Sequence, residues 1–201
     1  MTGEERRAAI IEAAVRLFAE RGFRGTTTRA LAEAAGVTEP VLYEHFKNKR
    51  ELYCAIVEAK SQEGMARGTA LLRPYAEARD DRRFFTGTAE FVLECHGEAS
   101  ADYTRLLLFV ALEDPELGLL FHQRQREGMD LLARYIERRV REGAFRNVDP
   151  ALAARVFLGM VVRHGILELL YGDAFVERSR EEIVEGMVDI FLNGIVSNKE
   201  R

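Results

Sequence analysis

Residues 27–46, TTRALAEAAGVTEPVLYEHF, hold the tightest constraint in this 201-residue chain. Leu31, Ala32, Ala35, Val37, Leu42 and Phe46 recur at the spacing of a small core shared by two short helices. Gly36 stands where the first helix must stop and the backbone reverse, a position that commonly needs φ > 0 and that glycine fills without steric cost. Thr38 is a suitable N-cap for the second helix. Pro40 falls in that helix's first turn, where its missing N–H removes no intrahelical bond. Helix, glycine-containing turn, helix is the helix-turn-helix pattern, whose second helix is shaped to enter a DNA groove.

The pattern extends beyond the turn. Phe18 and Gly22 precede it, Thr26, Thr27, Thr28 and Arg29 form its entry, and Tyr43, His45, Phe46 and Lys49 follow Leu42. From about Arg7 to Ala55 the chain resembles the DNA-binding segment of the tetracycline-repressor (TetR) family of bacterial transcription regulators. The resemblance implies an all-α protein with an N-terminal helix-turn-helix domain, residues 1–48. A continuous fourth helix would join it to a larger helical effector-binding and dimerisation domain, residues 49–201.

Hydrophobic residues at 47% and charged residues at 31% suit a water-soluble globular chain. No run of about 18 apolar residues predicts a membrane span. The N-terminus MTGEERRAAI lacks a signal-peptide core, so a cytoplasmic location is expected. Cys54 and Cys95 then read as thiols in a reducing compartment rather than a disulfide. Net charge is −4, which alone argues against a nucleic-acid partner. Residues 1–50, however, carry nine Lys or Arg against seven acids, whereas the remainder carries twenty against twenty-six. The modest excess at the reading end implies a few phosphate contacts per subunit, with affinity gained by pairing subunits.

Everything along the chain reads helical. Three of the four prolines, Pro40, Pro115 and Pro150, stand where helices begin. Capping boxes are expected at Thr2 with Glu5, Asn48 with Glu51, and Ser179 with Glu182. Helix 4 is expected to run to about Leu72, before Pro74, and helix 5 from 80 to about 99. Helix 6, apolar on all sides from Leu106 to Leu112, should be buried all round. Helices 8 and 9 have apolar arcs wider than one face. Either both are buried within one monomer, or each turns one side to a twofold-related copy. The resemblance implies the second, a homodimer through helices 8 and 9.

Side-chain chemistry suggests roles in the reading unit. Thr27, Thr28, Tyr43, His45 and Lys49 can donate to phosphate oxygens. Arg29 can reach phosphate or the O6/N7 edge of guanine. Thr38, Glu39, Pro40 and Val41 lead the second helix into the major groove, with Pro40 and Val41 suited to thymine methyls. Glu39 departs from the Lys, Arg or Gln often found there in the family; a carboxylate accepts from cytosine N4 but is repelled by phosphate. Core packing is the alternative for Tyr43, and a plain surface histidine for His45.

The resemblance also implies an effector cavity among helices 5 to 8. Its candidate lining is Phe84, Phe91, Cys95, Leu107, Val110, Phe121, Met129, Phe157, Met160 and His164, suited to an apolar or amphipathic small molecule. A closed core is the alternative. Cys95, His96, His122 and His164 lack close metal-ligand spacing, and no phosphate loop, HExxH or nucleophile elbow occurs, so neither cofactor nor enzymatic activity is expected. The expected function is a sequence-specific DNA-binding regulator, a repressor released from a pseudo-palindromic operator by its effector. The rival is a helical ligand- or partner-binding adaptor whose DNA reader does not function.

Overall fold

A computed structural model describes residues 2–97, 100–175 and 178–195, and the side chain of Asp173 is outside that description. The described residues form α1 (Gly3–Gly25), α2 (Thr28–Ala34), α3 (Glu39–His45), α4 (Lys49–Ala78) and α5 (Asp81–His96). Then follow α6 (Ala101–Glu113), α7 (Pro115–Arg141), α8 (Pro150–Tyr171), a single 3₁₀ turn (Gly172–Ala174) and α9 (Arg180–Ile195). No strand occurs among them.

Helix starts follow local chemistry. Thr2 and Glu5 exchange hydrogen bonds in a capping box, as do Ser179 and Glu182. Asn48 accepts the Glu51 N–H at 2.8 Å, but Glu51 returns its carboxylate to the Lys47 N–H, not to that of Asn48. Asp149 caps α8 ahead of Pro150 by accepting from Ala151 and Leu152. Pro74 did not end α4. The helix continues to Ala78, because Ala70, whose carbonyl Pro74 cannot bond, lies on an exposed side.

The chain divides into two compact units, Met1–Glu63 with Ser100–Arg124, and Gly64–Ala99 with Gln125–Arg201. This grouping differs from the division at 48/49, because α6 joins the reading helices. In the first unit α6 lies along α1. The core holds Ile10, Phe18, Leu31, Leu42, Leu52, Tyr53, Ile56, Leu106 and Val110, all fully buried. Each such aliphatic or aromatic side chain contributes about 1.5–3 kcal/mol. Helix α6 is not buried all round: Phe109 and Leu112 are exposed, the latter at 83%.

The second unit closes around aromatic rings. Phe85 is fully buried and meets Phe84, Tyr135, Phe145, Phe157 and Phe191, with centroids 4.9–6.3 Å apart. Tyr135 stacks on Phe84 and donates its hydroxyl to Asp81 at 2.5 Å, and Arg139 fixes the same carboxylate at 2.8 and 2.9 Å. Burial and the Asp81 hydrogen bond push the Tyr135 pKa up.

Candidate nucleic-acid interface

Helix α2 starts on Thr27, whose hydroxyl oxygen accepts the Ala30 N–H at 3.2 Å, leaving its own proton to donate outward. The helix ends in a Schellman turn: Val37 N–H donates to Ala32 at 2.9 Å and Gly36 N–H to Glu33 at 3.1 Å, with Gly36 at φ +67°. Helix α3 turns Leu42 inward, and Phe46 follows it into the core beneath the guanidinium of Arg7, 5.0 Å away. Packing of Leu31, Leu42 and Phe46 thus sets which side faces out. Thr27, Arg29, Thr38, Pro40 and Tyr43 are exposed; Thr28, Glu39, Val41, His45 and Lys49 are half-buried.

Four expectations change at this surface. Thr38 precedes α3 with extended backbone, but its side chain makes no capping bond, so its hydroxyl is not committed to the helix. Tyr43 is 47% exposed, which removes the core-packing alternative; its hydroxyl donates to Thr28 at 3.2 Å. The Thr28 hydroxyl donates in turn to Glu39 Oε1 at 2.8 Å. Lys49, expected on phosphate, places its ammonium instead on the carbonyls of Phe23 (2.5 Å) and Thr26 (2.9 Å) and over the Phe23 ring. Those carbonyls follow the bend in α1, and a cation is favourable at such an end. Burial lowers the Lys49 pKa, with the Glu113 carboxylate partly opposing it.

Glu113 is the last residue of α6. Its carboxylate accepts the Arg24 N–H at 3.0 Å, and the Arg24 guanidinium donates to the Glu113 carbonyl at 2.8 Å. Gly22, at φ +72°, makes room: a Cβ there would stand 2.6 Å from Glu113 Oε1. Next to it, Asp114 caps α7 and pairs with Arg50 at 2.9 Å. These bonds tie the end of α6 to the entry of the reading unit. Nothing local in sequence marks them, since the partners lie 64 to 89 residues apart.

The candidate effector residues divide between the two units. Leu107 and Val110 belong to the first core, with Phe121 packed against it. Phe84 and Phe157 lie inside the aromatic core of the second, with Met160 against it. Phe91, Cys95, Met129 and His164 are half-buried. Phe91 lies under Arg67, and the His164 ring stands 5.4 Å from that of Phe175. His96 is half-buried as well, and its Nδ1 donates to the Val92 carbonyl at 2.7 Å. An open depression on the second unit is lined by charged groups, Asp130, Arg134, Glu137 and Asp149 among them. Among the described residues no cluster of three metal-ligating side chains occurs, and no helix is long and apolar enough to cross a membrane. Cys54 and Cys95 are both thiols.

Residues 10–56 match the family model for bacterial regulatory proteins of the tetR family, and residues 88–194 match that for the C-terminal domain of AefR-like transcriptional repressors. An uncharacterized HTH-type transcriptional regulator of Bacillus subtilis, YvkB, is 26% identical over 190 residues, covering 92% of this chain and 95% of its own. The class C tetracycline repressor protein of Escherichia coli is 53% identical over 53 residues, 26% of this chain and 24% of that repressor. The crystal structure of AibR in complex with isovaleryl coenzyme A and operator DNA superposes with a TM-score of 0.65 at 26% identity, covering 92% of this chain and 97% of that one.

Proposed function

The chain belongs to the tetR family of bacterial regulatory proteins, and we propose that it is a cytoplasmic, homodimeric repressor rather than an enzyme, released from a pseudo-palindromic operator by a small effector. It is a DNA-binding transcriptional regulator. One observation carries the geometry: packing of Leu31, Leu42 and Phe46 turns Thr27, Arg29, Thr38, Pro40 and Tyr43 to solvent on one surface. Arg29 and Thr27 suit phosphate, and Glu39, Pro40 and Val41 suit base edges and thymine methyls.

Pairing of subunits finds support in the second unit. Leu152, Val156 and Leu170 of α8 recur on one exposed side, and Ile190 of α9 is 71% exposed. A monomer has no use for such faces, whereas a four-helix contact between copies buries them. The effector reading rests on family membership and on AibR, which is crystallised with isovaleryl coenzyme A. An apolar or amphipathic molecule would enter only where the aromatic core opens. It would shift DNA binding only by its differential affinity for two states; about 3 kcal/mol of coupling corresponds to roughly 150-fold.

Selection from a random duplex pool tests the reading. Enrichment of an inverted repeat, together with a native mass twice that of the 22.8 kDa chain, is the expected result. A monomer that enriches no sequence would leave the adaptor reading in its place.

A further inference from the structure

Thr28 opens α2 and Glu39 opens α3, and a side-chain hydrogen bond joins the two first turns. Thr28 donates its hydroxyl proton to Glu39 Oε1 at 2.8 Å and accepts the Tyr43 hydroxyl at 3.2 Å. A threonine hydroxyl has one proton. While Glu39 holds it, Thr28 has none for a phosphate, and Tyr43 has likewise directed its own proton to Thr28. Of the residues whose side-chain chemistry suits the DNA backbone, Thr28 is therefore bonded to the carboxylate that leads α3 into the groove, and Tyr43 is bonded to Thr28. Glu39 Oε2 takes no bond among the described residues. Glu39 is half-buried at the start of α3, where the helix N-terminus favours negative charge.

From this we propose that Thr28 is a positioning residue for base recognition, not a phosphate contact. It fixes Glu39 as an acceptor-only reader, and Tyr43 steadies the Thr28 hydroxyl in its donor orientation. The proposal rests on the DNA-binding reading above. A carboxylate anchored through one oxygen offers the other to an exocyclic amino group in the major groove. Cytosine N4 and adenine N6 are the two such donors; guanine O6/N7 and thymine O4 are acceptors that it repels. The half-site should therefore carry cytosine or adenine opposite Glu39. A free carboxylate would swing among rotamers, accept less selectively and be pushed off by neighbouring phosphates.

The two roles give opposite signatures. Loss of a phosphate contact weakens binding to all sequences alike and lowers the salt slope by about one; loss of positioning relaxes one base position and leaves the slope intact. Wild type, Thr28→Val, Thr28→Ser and Glu39→Gln are each taken through selection from a random duplex pool and through salt titration on a random duplex. Wild type should prefer an amino-bearing base at one half-site position by roughly tenfold. Thr28→Val should reduce that preference to about twofold or less with an unchanged salt slope. Thr28→Ser, which keeps the hydroxyl, should restore it, and Glu39→Gln should select a different base at the same position. Uniform weakening by Thr28→Val with a flatter slope overturns the proposal, as does a Thr28→Val protein that selects the wild-type sequence. A wild-type protein with no salt-dependent DNA binding overturns the DNA-binding reading itself, a result distinct from either.

Discussion

The reading unit and the second unit both close on apolar cores, but polar bonds play a larger part in shaping the first. In the first, polar groups fix geometry: Lys49 on the Phe23 and Thr26 carbonyls, Glu113 on the Arg24 N–H, Thr28 on Glu39. In the second, six aromatic rings centred on Phe85 do most of the packing, with Asp81, Tyr135 and Arg139 as a polar tie. A surface that must present donors and acceptors to DNA needs directional bonds. A unit that shelters apolar groups can rely on packing, which is non-directional and tolerant of exchange.

The contrast can be broken first at Phe85. Phe85→Ala should cost about 3–5 kcal/mol of unfolding free energy in denaturant titrations, as expected for a close-packed ring. A loss under 1 kcal/mol would mean that the aromatic core is already open. Ile190→Asp should come next, removing about 1.5–3 kcal/mol per subunit from association and shifting native mass toward monomer at micromolar protein. Unchanged dimer mass would move the subunit contact away from α9. In the reading unit, Gly22→Ala should cost about 1–3 kcal/mol, because alanine is strained at φ +72° and its Cβ would displace Glu113. Lys49→Met should lower stability by about 1–2 kcal/mol through the two orphaned carbonyls. If it instead flattened the salt slope at unchanged stability, Lys49 would be a phosphate contact after all.

The smallest effect concerns pH. Burial lowers the His96 pKa below its ordinary 6.5. The unfolded chain therefore takes up its proton first as pH falls, and stability drops below about pH 6.5 while remaining full above it. Urea midpoints measured across that range should show the slope, and His96→Gln should lose this share of it.

What could be seen in sequence follows the same divide. The two short helices, Gly36, the boxes at Thr2 and Ser179, and the Asp149 cap are all local signals within a few residues. The inward set Leu31, Leu42 and Phe46 came from spacing alone. Thr38 looked like a capping residue, yet residue type does not say whether the hydroxyl turns to the helix. Lys49 looked like a phosphate donor because its partners lie 23 and 26 residues back, at a bend created by Gly22. Arg24 with Glu113 is more distant still. Pro74 passed through α4 because a proline is tolerated where the orphaned carbonyl faces outward. The candidate effector lining was chosen for apolar character, a property that core and cavity share, so sequence could not assign Leu107 and Phe157 to different cores.

DNA binding by this chain depends on the outward surface of α2 and α3 meeting a polyanion. Its most direct test is fluorescence-anisotropy titration of a labelled random duplex over a range of salt, with wild type and Arg29→Ala side by side. The logarithm of affinity should fall linearly with the logarithm of salt for wild type, and the Arg29→Ala slope should be shallower by about one. A flat wild-type line, or superimposable lines for the two proteins, would contradict it.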